Sequence, residues 1–177
     1  MNSHGQIGIS LARRGGLERV TGRVRFGVDL AQPGDLHLYA LRAGSGPALV
    51  KTLDLAAVRA HPGVAAVFTA EDIPGVNRVG IIAKVKDQPI LAEGRSRYPG
   101  HAVALIAAES MEAARAAAAL ARLDLEPLPG VFDPRQALLP GAPQVGESGN
   151  LLWEAKVHKG DPEAALAWAA AVVTNTY

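Results

Sequence analysis

Five histidines, His4, His37, His61, His101 and His158, are the side chains best suited to hold a metal or carry a proton near neutral pH. No two stand at the spacing of a helix-borne ligand pair, and none has a second ligating residue at a metal-site distance in sequence. A resident metal is not expected. His101 follows the bend at Gly100 and precedes an apolar run, where an imidazole either points into a cleft or is satisfied by nearby backbone. Asp87, Glu93, Asp124 and Glu126 are the acids best placed for general acid–base work. Asp124 and Glu126, however, alternate with leucines and share the solvent face of one strand. Gly44-Ser45-Gly46 lacks the third glycine of a dinucleotide fingerprint, and no Gly-Lys-Ser/Thr occurs. Gly146-Glu147-Ser148-Gly149 has the wrong spacing for a nucleophile elbow. Arg13, Arg14, Arg19, Arg23 and Arg25 form a basic arm without interleaved aromatics, read as solvated or partner-bound and not as a nucleic-acid site. No catalytic, cofactor-binding or metal-ligating residue is assigned. Gly100 and His101 are the one pair placed for a substrate channel or an interface loop.

With 18 Lys plus Arg against 17 Asp plus Glu, the 177-residue chain has a formal net charge of +1. No global field draws it to nucleic acid or to a membrane surface. The lack of cysteine excludes disulfides, thiolate nucleophiles and cysteine-ligated zinc or iron–sulfur centres within these residues. No secretory signal and no membrane-spanning run is present, so a soluble, cytoplasmic protein is expected. The length suits one ordinary domain, or a small domain and part of another.

The elements that must position these residues follow from periodicity. Residues 1–19 read as an extended arm. Thr21 to Asp29 alternates Val24, Phe26 and Val28 with polar residues and predicts a strand with Phe26 in the core. Further strands are predicted at Leu36 to Arg42, Ala48 to Leu53, Val64 to Thr69 and Val79 to Ile82. Asp54 can cap a helix over Leu55 to Ala60, which His61-Pro62-Gly63 stops; Ala70 to Gly75 is a turn. Ala102 to Ala108 is an apolar strand, and Ser110 with Glu112 starts a helix running to about Arg122. Ala114, Ala117, Ala118 and Ala121 give it one smooth face, with Glu112, Arg115 and Arg122 opposite. Leu123 to Leu128 is a last strand, ended by Pro127 and Pro129. Phe132 to Asn150 reads as a linker, and the chain after Phe132 is expected to be mobile or to pack on a neighbouring chain. Asp161-Pro162-Glu163 starts a helix over Ala164 to Ala171, followed by a strand pattern at Val172 to Tyr177.

Taken together, Val20 to Arg23, Leu36 to Arg42, Leu53 to Val58, His61 to Gly75 and Gln88 to Pro129 resemble a known domain in order and spacing. That domain is the α/β-hammerhead of the large subunits of molybdenum hydroxylases, the xanthine dehydrogenase and aldehyde oxidase family. The resemblance implies an α+β fold, a mixed sheet with two or three short to medium helices packed on it. It divides the chain into an arm (1–19), the hammerhead (20–137) and a linker with the truncated start of the molybdopterin-binding region (138–177). Where the family commonly has a Ser-Pro-His-Ala-His-Ala-like run, this chain has Ala43 to Ala48. The implied parent is an oxidoreductase that hydroxylates a purine, aldehyde or related substrate with oxygen from water. This part of it would be inactive alone and bind no cofactor, with molybdopterin held downstream and iron–sulfur clusters and FAD on partner subunits. Implied partners are the remainder of the large subunit, iron–sulfur and flavin subunits or domains, and a second copy in a homodimer, with neither nucleic acid nor membrane. A stand-alone binding or assembly module of the same fold is the alternative. Substrate, electron acceptor and oligomeric state are not encoded in these residues.

Overall fold

The computed structural model describes residue 8 and residues 10–44, 46–81 and 86–175. A short helix α1, Gly16–Val20, and a 3₁₀ turn at Gly27–Leu30 come first, and neither buries a residue. The arm is therefore partly helical, and the strand expected over Thr21 to Asp29 does not form. Its alternation finds no partner strand to hydrogen-bond. Phe26 is 54% exposed, with its ring centroid 5.9 Å from the Arg19 guanidinium carbon and not in the core.

Beyond the arm the chain runs β1 (His37–Arg42), β2 (Ala48–Asp54), α2 (Ala56–Arg59), β3 (Val64–Phe68), β4 (Arg95–Ser96) and β5 (Ala102–Ala108). Then follow α3 (Met111–Ala118), β6 (Arg122–Pro127), α4 (Pro134–Ala137) and α5 (Pro162–Ala167). The α+β class stands, but the strands form two three-stranded sheets, all pairs antiparallel, in place of one mixed sheet. In one, β5 lies between β1 and β3; in the other, β2 lies between β4 and β6. Strands β1 and β2, though consecutive, lie in different sheets. Val79 makes only an isolated bridge to Gln88, Gly80 and Ile81 form no strand, and Ile82 lies outside the described residues.

Strand β5 is buried on both faces. Ala104, Ile106 and Ala108 meet Leu55, Val58 and Val67 and the Ala114, Ala117 and Ala118 face of α3. The opposite face carries Val103, which joins Ala43 and Ala92 and the half-buried Leu41, Leu53, Leu123 and Leu125 between the sheets. This is the period-two alternation of a strand, with apolar residues required on each side because each side is covered. Small side chains on helix and strand set a short helix-to-sheet distance. Gly63 keeps that distance at the helix start: it has φ +81°, its carbonyl accepts from Glu109 N at 2.8 Å, and a Cβ there would stand 3.3 Å from Ala113 Cβ.

Ser110 caps α3, its hydroxyl accepting from Ala113 N at 3.1 Å. The helix stops at Ala118, earlier than expected, because Arg122 and Leu123 are paired with Asp54 and Leu53 across the second sheet. Arg122 is thus not on the face of Glu112 and Arg115. Helix α2 starts one residue later than expected, with Leu55 and not Asp54 at its N-cap, but Asp54 Oδ1 still accepts from Ala56 N at 2.9 Å.

Residues 133–150 are not a loose linker. Asp133 accepts from Arg135 N and Gln136 N at 2.7 and 3.0 Å and starts α4, with proline in its first turn. Asn150 ties the segment's ends: its Nδ2 donates to Ala137 O and Pro143 O at 2.8 and 3.0 Å, and its Oδ1 accepts from Val145 N at 2.8 Å. After Asn150 every described residue is exposed. Asp161 caps α5 through Ala164 N at 2.9 Å, but no strand forms over 172–175, where no partner strand is at hand; Thr176 and Tyr177 lie outside the described residues.

The close α3–β5 contact makes a size test direct. Ala117→Leu, at a position with 0% exposure, is expected to lower stability by about 1–3 kcal/mol through overpacking. Exposed Ala116→Leu should stay within about 0.5 kcal/mol of the parent in the same urea titration. Equal effects would show that α3 does not lie tightly on the sheet.

Candidate functional site

The Gly100–His101 bend is a four-residue turn, Tyr98-Pro99-Gly100-His101, with His101 N donating to Tyr98 O at 3.2 Å. Proline second and a glycine of φ +79° third are the residues a type II turn demands. The turn is fastened to the end of β1. Gly100 N donates to Ala43 O and Ala43 N to His101 O, both at 2.8 Å, while Arg42 Nη1 donates to Gly100 O at 2.9 Å.

The His101 ring is 0% exposed and stacks on Tyr98 with centroids 4.6 Å apart. Arg97 N–H faces Nδ1 at 3.3 Å, so Nδ1 is the acceptor; Nε2 then carries the hydrogen, 3.4 Å from Pro89 O. Burial pushes this imidazole below its ordinary value of 6.5; the Pro89 carbonyl acts in the opposite sense, and the Arg97 charge adds to the depression. A ring without free surface does not itself line a channel within this chain. The exposed side of the turn is Tyr98 and Pro99.

From His101 a network leads to Asp87 and Glu93, two of the acids that the sequence offered, and to Arg78, Arg97 and Glu147, to which it gave no role. The Arg97 guanidinium donates to Asp87 O at 2.7 Å and to Glu147 Oε1 at 2.9 Å. Arg78 donates to the same Oε1 at 2.6 Å and to Asn77 O at 2.8 Å, with Glu93 3.7 Å from its other nitrogen. The Arg97 and Arg78 side chains are only 12% and 22% exposed. Arg78, then Arg97, hold the Glu147 carboxyl below the usual carboxylate range. Arg95 Nη2 donates to Gln144 O at 2.8 Å, while its buried Nε has no partner. Asn77 pins the neighbouring loop, its Oδ1 accepting from Ile90 N and Leu91 N and its Nδ2 donating to Leu91 O. Glu147 is 50 and 69 residues from its two arginines, and no local pattern marks a pairing at that range.

A cavity of about 360 Å³ lies among Arg78, Arg95, Arg97, Glu93 and Glu147. Its guanidinium groups are engaged by Glu147 and by backbone carbonyls, which leaves them unsuited to a phosphate-bearing cofactor. Among the described residues, no three His, Cys, Asp or Glu side chains gather for a metal ion. The site does not fit a resident metal or molybdopterin. The other expected acids are not brought together either: Glu126 pairs with Lys51 at 2.6 Å on the surface, and Asp124 is exposed.

The buried neutral imidazole has a pH signature. Its folded value lies below the 6.5 of a free ring, so in that window the unfolded chain binds the extra proton. Its contribution is complete above about pH 6.5 and is lost as pH falls below it. Wild type is expected to lose melting temperature between pH 7.5 and 5.5. His101→Gln, which keeps one acceptor and one donor without the titration, should lose less. An unchanged slope in the variant would show that the ring is not the group titrating.

The family model for the aldehyde oxidase and xanthine dehydrogenase a/b hammerhead domain matches residues 21–129. A probable xanthine dehydrogenase component of Bacillus subtilis (strain 168) is 37% identical over 168 residues, 95% of this chain and 22% of that protein. The nicotinate dehydrogenase large molybdopterin subunit of Eubacterium barkeri is 34% identical over 161 residues, 91% of this chain and 37% of its own. Among solved structures, quinoline 2-oxidoreductase from Pseudomonas putida 86 is similar with a TM-score of 0.75 and 31% identity, over 96% of this chain and 22% of that one. This chain therefore spans only 22% to 37% of the length of these three proteins. By matched span, element order and fold, the chain belongs to the aldehyde oxidase and xanthine dehydrogenase family, as its a/b hammerhead domain.

Proposed function

We propose that the chain is a supporting domain of a molybdenum-dependent hydroxylase or dehydrogenase that oxidises a purine, aldehyde or related substrate with water as the oxygen source. The observation that carries this is the family match over residues 21–129, together with relatives several times longer than this chain. The chemistry resides in the remainder of the large subunit, which holds the molybdopterin. Iron–sulfur clusters and FAD sit on partner subunits or domains, and the assembly is cytoplasmic. No helix among the described residues is long and apolar enough to cross a membrane.

The surface supports a role as an embedded part. Trp153, Val157, Trp168 and Val173 are 53%, 96%, 89% and 82% exposed, an apolar exposure that a chain in water would normally cover. The remainder of the large subunit covers this tail. Tyr98, Pro99 and Gly100 form the side of the hammerhead that meets neighbouring parts of the enzyme, and His101 holds that turn in shape from behind.

Expressed alone, the 177-residue chain is expected to bind no molybdopterin and to oxidise neither an aldehyde nor a purine. Measurable turnover by the purified, metal-free chain would overturn the supporting role. In the full-length subunit with its partners, labelled water should place its oxygen in the product, and product oxygen from dissolved O₂ would contradict the reaction class.

A further inference from the structure

Residues 133–150 lie beyond the span that the family model matches, yet they close back on the domain at two places and are tied to themselves at a third. Gln144 O receives Arg95, Glu147 receives Arg78 and Arg97, and Asn150 fastens the segment to itself. Gly146 shows how tightly the tip is folded: a Cβ there would stand 2.5 Å from Gly149 O and 3.3 Å from Asp87 Oδ2. The segment also walls a cavity of about 680 Å³ with Lys86, Asp87 and Phe132, and it sets the point at which the exposed tail leaves the domain.

We propose that residues 133–150 are an acid-releasable strap, closed by the Glu147 carboxylate on Arg78 and Arg97, with the buried neutral His101 holding Arg97 in the conformation that receives it. The mechanical link is short. Arg97 N–H donates to His101 Nδ1 while the guanidinium of the same residue spans Asp87 O and Glu147. A proton on Nδ1 turns that acceptor into a donor facing a donor and puts a positive charge beside the guanidinium. A proton on Glu147 removes the charge that draws two arginines to one oxygen.

The groups facing His101 are Arg97, Tyr98 and, across the turn, Arg42 on Gly100 O; none supplies a carboxylate to stabilise an imidazolium. Around Glu147 stand Arg78 and Arg97, with Arg95 on Gln144 O, Glu93 3.7 Å from Arg78, and Lys86 and Asp87 in the cavity wall. The balance at Glu147 is cationic and favours its charged form. Glu147 takes up a proton less readily while Arg78 and Arg97 are on it, and His101 less readily while its ring is buried beside Arg97. Closure is therefore complete at neutral pH and weakens as pH falls, first below the ordinary histidine value of 6.5 and further below the ordinary glutamate value of 4.5. Release opens the cavity wall and frees the direction in which the tail leaves.

Hydrogen exchange of the 177-residue chain, corrected for intrinsic rates, tests this with β5 as the internal standard. At pH 7.5 the Val145 and Gly149 amides should be protected in wild type, and that protection should fall on passing to pH 5.5 while β5 stays protected. Glu147→Gln should exchange about tenfold faster in the strap at pH 7.5, the scale of a lost hydrogen bond to a charged group. His101→Gln should keep the strap closed at pH 7.5 and shift its release to lower pH. An unprotected strap in wild type at pH 7.5, or wild-type protection in Glu147→Gln, overturns the proposal whether or not the histidine variant folds. An unshifted release in a folded His101→Gln removes His101 from it.

Discussion

The structure depends on one constraint: β5, Ala102–Ala108, must be covered on both faces at once. A strand in that position is apolar throughout, and it fixes what surrounds it. On one side only small residues let α3 approach, which accounts for Ala114, Ala117 and Ala118 and for Gly63 at the helix start. On the other, Val103 needs a cover of leucines, which the second sheet supplies through Leu53, Leu123 and Leu125. Burial of this kind is the main favourable contribution to folding. The second sheet therefore stands or falls with β5, the central strand of the first.

The same strand passes order to the surface. Its first residue follows the Gly100–His101 turn, and the His101 imidazole fills the space behind that turn where water would otherwise enter. A buried polar ring must be hydrogen-bonded, and both of its nitrogens are met by backbone of the neighbouring segments at Arg97 and Pro89. Arg97 in turn reaches Glu147, so the packing of the core continues by hydrogen bonds into residues 133–150. That continuity gives the hammerhead a larger folded unit than the span over which the family is recognised.

The central elements were legible in the sequence because their causes are local. The run Ala102 to Ala108 has the length and composition of a covered strand, and Ser110 marks the helix start by its capping chemistry. Thr21 to Asp29 misled for a physical reason: alternation states only that a strand would have two faces, and without a partner strand Phe26 remains exposed. The stop of α3 at Ala118 was set from outside the helix, by the pairing of Arg122 and Leu123 with β2. The prolines and glycines of Phe132 to Asn150 suggest a linker, although Asp133-Pro134 carries the same start signal as Asp161-Pro162. Glu147 itself had no readable mark, since its partners are brought to it only by the completed fold. His101 stood out in the sequence by its place after Gly100, but whether it faced a cleft or the backbone was decided by packing.

The proposed supporting role requires a definite shape where the domain would meet the rest of the enzyme, and residues 133–150 close onto the domain at the point where the tail departs. Comparing the thermal unfolding of chains that end at Pro129 and at Asn150 tests this most directly. The account predicts that the longer chain melts at the higher temperature at pH 7.5, in one cooperative transition, and that the difference shrinks at pH 5.5. Identical melting of the two chains at pH 7.5 would contradict it.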